Sequence, residues 1–342
     1  MIRVVAFTGG ENVPSARFRV RQFIEPLLAH NVTVDESRTH TTSFPPRDQA
    51  ERLVWLARRI VELAPVVARS RRADVVLLQR EMISSFRTLE GLTGRPRVLD
   101  VDDSIHLQRG GRAAAAIARG CDRVIVGNRW LEQVYRQWCD DVVVLPTGID
   151  ALRYRPLEKV KGTGEDAPTI GWIGTSANFV HLERISSALA TVLADFPQAR
   201  LRIVAERSPQ LSGIPSDRID FVPWSQADEI RAIQSFDIGI MPLSPDGWAF
   251  EWALGKCSFK MLQYMSCGIP VIVSPIGMNA QVLEEGPIGF GPASQEAWVD
   301  ALRRTLADAH LRRALGAAGR DVVLRRYDVA VLTPQLAQHL RF

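Results

Sequence analysis

What most constrains this chain is a rhythm that runs twice. Nearly continuous apolar runs stand at residues 3–8 (RVVAFT), 74–79, 97–101, 123–127 and 141–145. Stretches of helical spacing at 16–30, 48–71 and 129–138 fall between them. A strand with one wet face alternates polar and apolar residues. Runs without that alternation, separated by helices, predict a parallel sheet covered on both faces. At 145–156 (LPTGIDALRYRP) and the following EKVKGTGEDAP, proline, glycine and charge cluster as they do at a domain boundary. The rhythm then restarts, with strands expected at 169–173, 200–204, 219–222, 238–241 and 271–274 and closing helices at 296–308, 311–326 and 329–341. The expectation is an α/β chain of two Rossmann-like, doubly wound domains, 1–150 and 151–325. There is no tandem repeat. Two such domains joined by a short linker bind ligands in the cleft they face, beyond the carboxyl ends of their strands.

Composition narrows the class. The 46% hydrophobic and 23% charged residues are those of a soluble globular protein. No apolar run approaches the roughly 20 residues of a membrane span. The opening MIRVVAFTGG reads as strand and turn, not as a signal peptide, so a cytoplasmic protein is expected. Cys121, Cys139, Cys257 and Cys267 form no CxxC pair and read as reduced thiols, with no zinc site. Residues 1–150 hold 22 arginines and no lysine against 18 carboxylates, whereas 151–342 balance at 20 and 20. That excess suits an anionic acceptor or the negative inner face of a membrane. The basic, amphipathic stretch 52–72 either lies on a membrane or covers its own sheet. Nucleic acid is not expected, because no dense basic stripe with interleaved aromatics is present.

Three loops after strands can hold a phosphate. In TGGENVPSARFR (8–19), Gly9 and Gly10 allow close backbone approach, Ser15 is placed to cap the next helix, and Arg17 and Arg19 put cations at a helix start, where an anion would relieve them. In IGWIGTSANF (170–179), Gly174, Thr175 and Ser176 leave a strand for a helix and present amides and hydroxyls, although no Walker A pattern is present. The third is GKCSFKMLQYMSCG (255–268). The chain has four lysines; Lys159 and Lys161 stand in an expected loop, and Lys256 and Lys260 stand four apart at this helix start. Convergence of both ammonium groups on an anion explains the placement, with the spacing putting them on one face. The plain alternative is stems packed on apolar surface with heads in water.

LGKCSFKMLQYMSCGIPVIVSPIGMNAQVLEEGPIGF resembles the donor-binding region of family-4-type glycosyltransferases of the GT-B fold. PTGID (146–150) is similar to the start of their interdomain linker, IGWIGT to the first strand and phosphate loop of their C-terminal domain, and 217–243 to the segment before the active-site helix. The resemblance implies a GT-B architecture with a last helix, 326–342, packing back toward the N-domain. It implies transfer of a sugar from a UDP- or GDP-linked donor to a glycan, glycolipid or small-molecule acceptor, with retention, no metal and no cofactor beyond that co-substrate. Many members carry two glutamates eight residues apart at this helix; here Gly255 and Gln263 stand there. The diphosphate cations common near the first C-domain loop are missing too, so Lys256 and Lys260 are expected to supply them as catalytic and donor-binding groups. Gln263 and Trp224 fall on the donor side by the same resemblance. Asp103 in DVDD (100–103) joins the catalytic set, and Arg19, Asp102, His106 and Glu251 the acceptor side; Glu81 is a further polar candidate. Trp248 and Trp252 either stack on a sugar or fill their loop. The rival readings are a GT-B epimerase, which would want acidic pairs, a phosphorylase, which would want a pyridoxal lysine, and a non-catalytic nucleotide-sugar-binding protein.

Overall fold

The computed structural model describes residues 1–157 and 167–342; Lys159, Lys161 and the rest of the polar stretch 158–166 lie outside the described residues. The chain forms two compact units. One comprises Met1–Gly148, Leu254–Cys257 and Asp328–Phe342, the other Ile149–Ala253 and Ser258–Tyr327.

The first unit is built on six parallel strands: β1 (Ile2–Phe7), β2 (Val32–Ser37), β3 (Val75–Gln79), β4 (Arg97–Val101), β5 (Arg123–Val126) and β6 (Val142–Val144). Their order is β2-β1-β3-β4-β5-β6. The central strands β3 and β4 are buried at every residue, which is why they read as largely apolar runs without a regular polar alternation. β2 is absent from the sequence reading. It pairs only with β1 and mixes buried and part-exposed positions, VTVDES, as an edge strand does. The helices are α1 (Pro14–Ala16), α2 (Gln22–Leu28), α3 (Gln49–Ser70), α4 (Arg112–Ala118) and α5 (Arg129–Tyr135). The helix expected over 16–30 is interrupted by a π-helical turn at Arg17–Arg21. Val13, not Ser15, occupies the N-cap, with Pro14 after it; Ser15 is buried and donates to Gln79 Oε1 at 3.3 Å. α3 starts on the Asp48 carboxylate, which accepts from the Ala50 amide, and lays Leu63, Val66 and Val67 against Val5, Val76 and Leu99. Each such fully buried side chain contributes roughly 1.5–3 kcal/mol.

The second unit repeats the scheme with β7 (Thr169–Ile173), β8 (Arg200–Ala205), β9 (Ile219–Pro223), β10 (Ile238–Met241), β11 (Val271–Val273) and β12 (Gly289–Phe290), in the order β12-β11-β10-β7-β8-β9. Around it lie α6 (Phe179–Glu183), α7 (Ser186–Asp195), α8 (Glu229–Gln234), α9 (Gly247–Leu254), α10 (Phe259–Ser266), α11 (Met278–Leu283), α12 (Gln295–Ala307) and α13 (Ala309–Arg326). Its core joins Ile170 and Trp172 of β7 to Leu189 and Val192 of α7 and Trp298 and Leu302 of α12. A final helix, α14 (Val329–His339), belongs to the first unit, where Leu332 and Leu336 pack with Val4, Phe23 and Leu27.

Both sheets reverse strand order once: between β1 and β3 in the first unit, and between β7 and β10 in the second. Those are the topological switch points, where connections leave in opposite directions and open a crevice at the strands' carboxyl ends.

Candidate functional site

At the switch point of the second unit, β7 ends in Gly174 and α10 begins beside it. A Cβ on Gly174 would lie 2.8 Å from Lys260 Cε and 2.7 Å from the Trp172 ring, so only glycine lets the lysine stem cross there. Lys260, second residue of the half-buried first turn of α10, thus brings its side chain to the end of β7. Tyr264, one turn on, accepts from the Ile173 amide at 3.1 Å and holds the helix to that strand. Beyond β10 and β11 a cavity of about 430 Å³ opens among Leu243, Pro245, Ser274, Ile276, Gln295 and Trp298, a volume in the range of small-ligand sites.

The donors of Gly174 and Ser176 in this loop are already engaged. The Gly174 amide bonds Val204 O at 3.0 Å. Ser176 gives its amide, at 2.8 Å, and its hydroxyl to the Glu206 carboxylate. Thr175 Oγ1 accepts from Asn178 Nδ2 at 2.7 Å. Desolvation acts to raise the Glu206 carboxyl, but the bonds from Ser176 outweigh it and hold the group below its ordinary range. A carboxylate therefore sits where a phosphate was expected.

Lys256 is not on α10. The segment Leu254–Cys257 belongs to the first unit, pinned by Asn128, whose Nδ2 donates to Leu254 O at 3.0 Å and Lys256 O at 3.2 Å while its Oδ1 caps α5 at Leu131 N. The two lysines are carried by different units and share no helical face. Gly255 is equally determined: a Cβ there would meet Ser104 Oγ at 2.2 Å, leaving no room for a glutamate. Gln263 is buried, and its Nε2 donates to Glu229 Oε1 at 3.2 Å and to Tyr154 Oη at 3.3 Å. Glu229 also accepts from the Tyr154 hydroxyl and, at 3.1 Å, from Trp224 Nε1, whose ring is left partly exposed after β9. Gln263 thus serves a buried carboxylate of its own unit. Glu229 and Tyr154 carried no sequence signal, because the cluster draws on three separated segments. Glu251 lies exposed on α9, and Trp248 and Trp252 of that helix stack on each other, ring centroids 5.0 Å apart.

In the first unit the expected acceptor arginine is a strut. Arg19 is buried, with Nε 3.0 Å from Asp100 Oδ1 and Nη1 2.9 Å from Leu145 O. Asp102 is likewise buried and 2.6 Å from Arg80 Nε; desolvation raises its carboxyl, and the guanidinium more than reverses this, leaving it below the usual carboxylate range. Asp103, half-buried, lies 3.7 Å from Arg80 and accepts from the Ser104 amide. DVDD is therefore an internal ion-pair array. Among the described residues no group of three His, Cys, Asp or Glu is placed to hold a metal. Gly9 and Gly10 are covered: Gly9 O accepts from Ser43 N at 2.7 Å, and Gly10, at φ +125, faces the backbone of Thr39–Thr42. Arg17 lies over the Phe18 ring at 4.1 Å. All four cysteines are free thiols.

Three polar atoms at the carboxyl end of this sheet are buried without a hydrogen-bond partner: Glu81 Oε1, His106 Nδ1 and Tyr135 Oη. Desolvation pushes the Glu81 carboxyl up to about 7 and the His106 imidazole down to about 4. His106 packs on Trp130, centroids 5.0 Å apart, and edge-on to Tyr135 at 6.3 Å. A carboxyl held near 7 and an imidazole kept neutral are each groups that can exchange a proton with a bound hydroxyl.

Two parallel six-stranded sheets with these switch points define a GT-B fold, and solved structures agree. The chain is similar, over 99% of both chains, to sucrose-phosphate synthase from Thermosynechococcus elongatus (17% identity, TM-score 0.69) and to HepE of Anabaena in complex with UDP and glucose (16% identity, TM-score 0.69). It is also similar to WaaG, a glycosyltransferase involved in lipopolysaccharide biosynthesis (14% identity, TM-score 0.66, 99% of both chains). Residues 167–308 match the family model described as glycosyl transferases group 1. A D-inositol 3-phosphate glycosyltransferase of Nocardia farcinica is 22% identical over 55% of this chain; the matched stretch spans 45% of that protein's length.

Proposed function

We propose that the chain transfers a sugar from a UDP- or GDP-linked donor to a hydroxyl of a glycan, glycolipid or small-molecule acceptor, with retention and without a metal, at the cytoplasmic side of a membrane. The observation that carries this is Lys260, drawn across Gly174 at the switch point of a group 1 glycosyl transferase domain. A cation there offsets the charge that grows on a departing nucleoside diphosphate, the largest charge such a reaction develops. The UDP and glucose bound to HepE support the uridine form of the donor. Glu81 and His106 are the groups proposed to receive the acceptor hydroxyl.

A thermal-shift panel of UDP, GDP, ADP and TDP, each with and without EDTA, tests the reading. Stabilisation by one diphosphate, unchanged by EDTA and about tenfold weaker in Lys260→Ala, is expected. No response to any of them refutes it. Release of sugar from the donor without acceptor separates an enzyme from a binding protein.

A further inference from the structure

Buried polar atoms without a hydrogen-bond partner are few in a folded chain, and each is destabilising where it stands. Three of them belong to the first unit and lie on elements that follow three neighbouring strands. Glu81 comes after β3, His106 after β4, and Tyr135 ends α5, the helix after β5. Tyr135 has no part in the acceptor assignment above, and it joins the other two. Its ring meets the His106 ring edge-on, with centroids 6.3 Å apart. Burial lifts its hydroxyl well above the ordinary range, and the Glu81 charge is near enough to lift it further. Tyr135 is fully buried and Glu81 is 4% exposed. His106 and the Trp130 ring it packs on are half-buried, so the cluster meets solvent on their side.

The chemistry of the three atoms says what satisfies them. Tyr135 offers an O–H donor, and the neutral His106 a nitrogen that donates or accepts by tautomer. Glu81, held near 7, has a carboxyl that does either. Hydroxyl groups, which both give and accept, match that set. Phosphate and carboxylate do not, since they act chiefly as acceptors and would face the Glu81 charge. Arg80, the guanidinium that acts on both Glu81 and Tyr135, is already taken by Asp102 at 2.6 Å and Asp103 at 3.7 Å. The rings of His106 and Trp130, 5.0 Å apart, add apolar surface for the C–H face of a ring. Three unpaired groups kept together lower stability, a loss that natural proteins sustain at binding sites.

We propose that Tyr135 binds the acceptor together with Glu81 and His106, and that the part they hold is an uncharged sugar or cyclic polyol ring bearing adjacent hydroxyls. Tyr135 donates to one hydroxyl oxygen, which fixes the ring while the neighbouring hydroxyl is presented to Glu81 and His106. This role rests on the acceptor assignment of those two residues and on none of the nucleotide contacts of the second unit.

The test is made on the full chain without donor. Tyr135→Phe removes a single oxygen that has no partner in the fold, so the variant is expected to melt at or above wild type. Saturation-transfer NMR with methyl α-glucoside, methyl α-mannoside, methyl α-galactoside and myo-inositol reads ring binding, with inorganic phosphate as competitor. At least one ring is expected to bind wild type, to bind Tyr135→Phe about tenfold more weakly, and to resist phosphate. The thermal response to UDP should be the same in both proteins. Ring binding by a wild type that responds to no nucleotide supports this site and refutes the donor reading. A Tyr135→Phe melt several degrees below wild type overturns the proposal, because the hydroxyl then has an internal partner. Equal ring affinity in the two proteins overturns it, as does displacement of the ring by phosphate. So does a wild type that binds none of the four rings, the three atoms then being satisfied by solvent alone.

Discussion

Replacing Gln263 by Glu changes almost nothing but a charge, and the surroundings of Gln263 set what that charge does. The substitution puts a second carboxylate where Nε2 now stands, 3.2 Å from Glu229 Oε1 and within a buried cluster. Two unit charges at that distance repel by roughly 5 kcal/mol at an effective dielectric of about 20, so one carboxyl keeps its proton. Holding it protonated at neutral pH, against an ordinary value near 4.3, costs about 3–4 kcal/mol. The new O–H to carboxylate bond returns about 1 kcal/mol of that. The expected loss is therefore about 2–3 kcal/mol at pH 7, or roughly 4–12 °C in Tm for a unit of this size. The sign follows from linkage: the variant's carboxyl has a raised folded-state pKa, so the penalty is absent below about pH 4. It grows by about 1.4 kcal/mol per pH unit above that and levels off at the folded pKa. Urea unfolding of both proteins across this pH range, followed by tryptophan fluorescence, measures it, since Trp172 and Trp224 report on this unit. A deficit that does not change with pH, or none at pH 7, refutes the reasoning.

Three further outcomes are expected. Glu81→Gln should stabilise the chain by about 2–3 kcal/mol at pH 8, because a carboxyl held near 7 costs stability above its unfolded value of about 4.5; the gain should vanish as the pH falls to that value, while kcat drops if Glu81 receives the acceptor hydroxyl. Asp102→Asn takes the main partner from the part-buried Arg80, which keeps Asp103 at 3.7 Å, so a loss of about 1.5–3 kcal/mol in urea titration is expected. Gly255→Ala, with its Cβ 2.2 Å from Ser104 Oγ and 2.9 Å from the Ser104 amide, should cost about 1–3 kcal/mol; a melt identical to wild type would show that this contact gives freely.

The two sheets were legible because burial on both faces is a local statement. Ten of the strands announce themselves as apolar runs, and the order of helices between them leaves a parallel arrangement as the only economical pairing. β2 and β12 escaped because VTVDES mixes polar, part-exposed positions into its run and Gly289–Phe290 is only two residues long, so neither carries the signature. At the site, Gly174 and Lys260 could be picked out as residues of the right kind beside a strand end and a helix start. That Lys256 parts from Lys260 could not be, since the chain changes units between residues 257 and 258 within an unbroken motif. Nor could the fate of the charged residues. Arg19 and Asp102 each keep their own formal charge whether they meet a ligand or a neighbouring side chain, and their partners, Asp100 in β4 and Arg80 just after β3, are brought beside them by the sheet. The sequence by itself determined which segments must be buried, because transfer out of water depends on a side chain's own surface. Only the tertiary structure decided which charges are spent internally and which lysine reaches the end of β7, because ion pairs and hydrogen bonds act over a few ångströms and depend on which segments the fold makes neighbours.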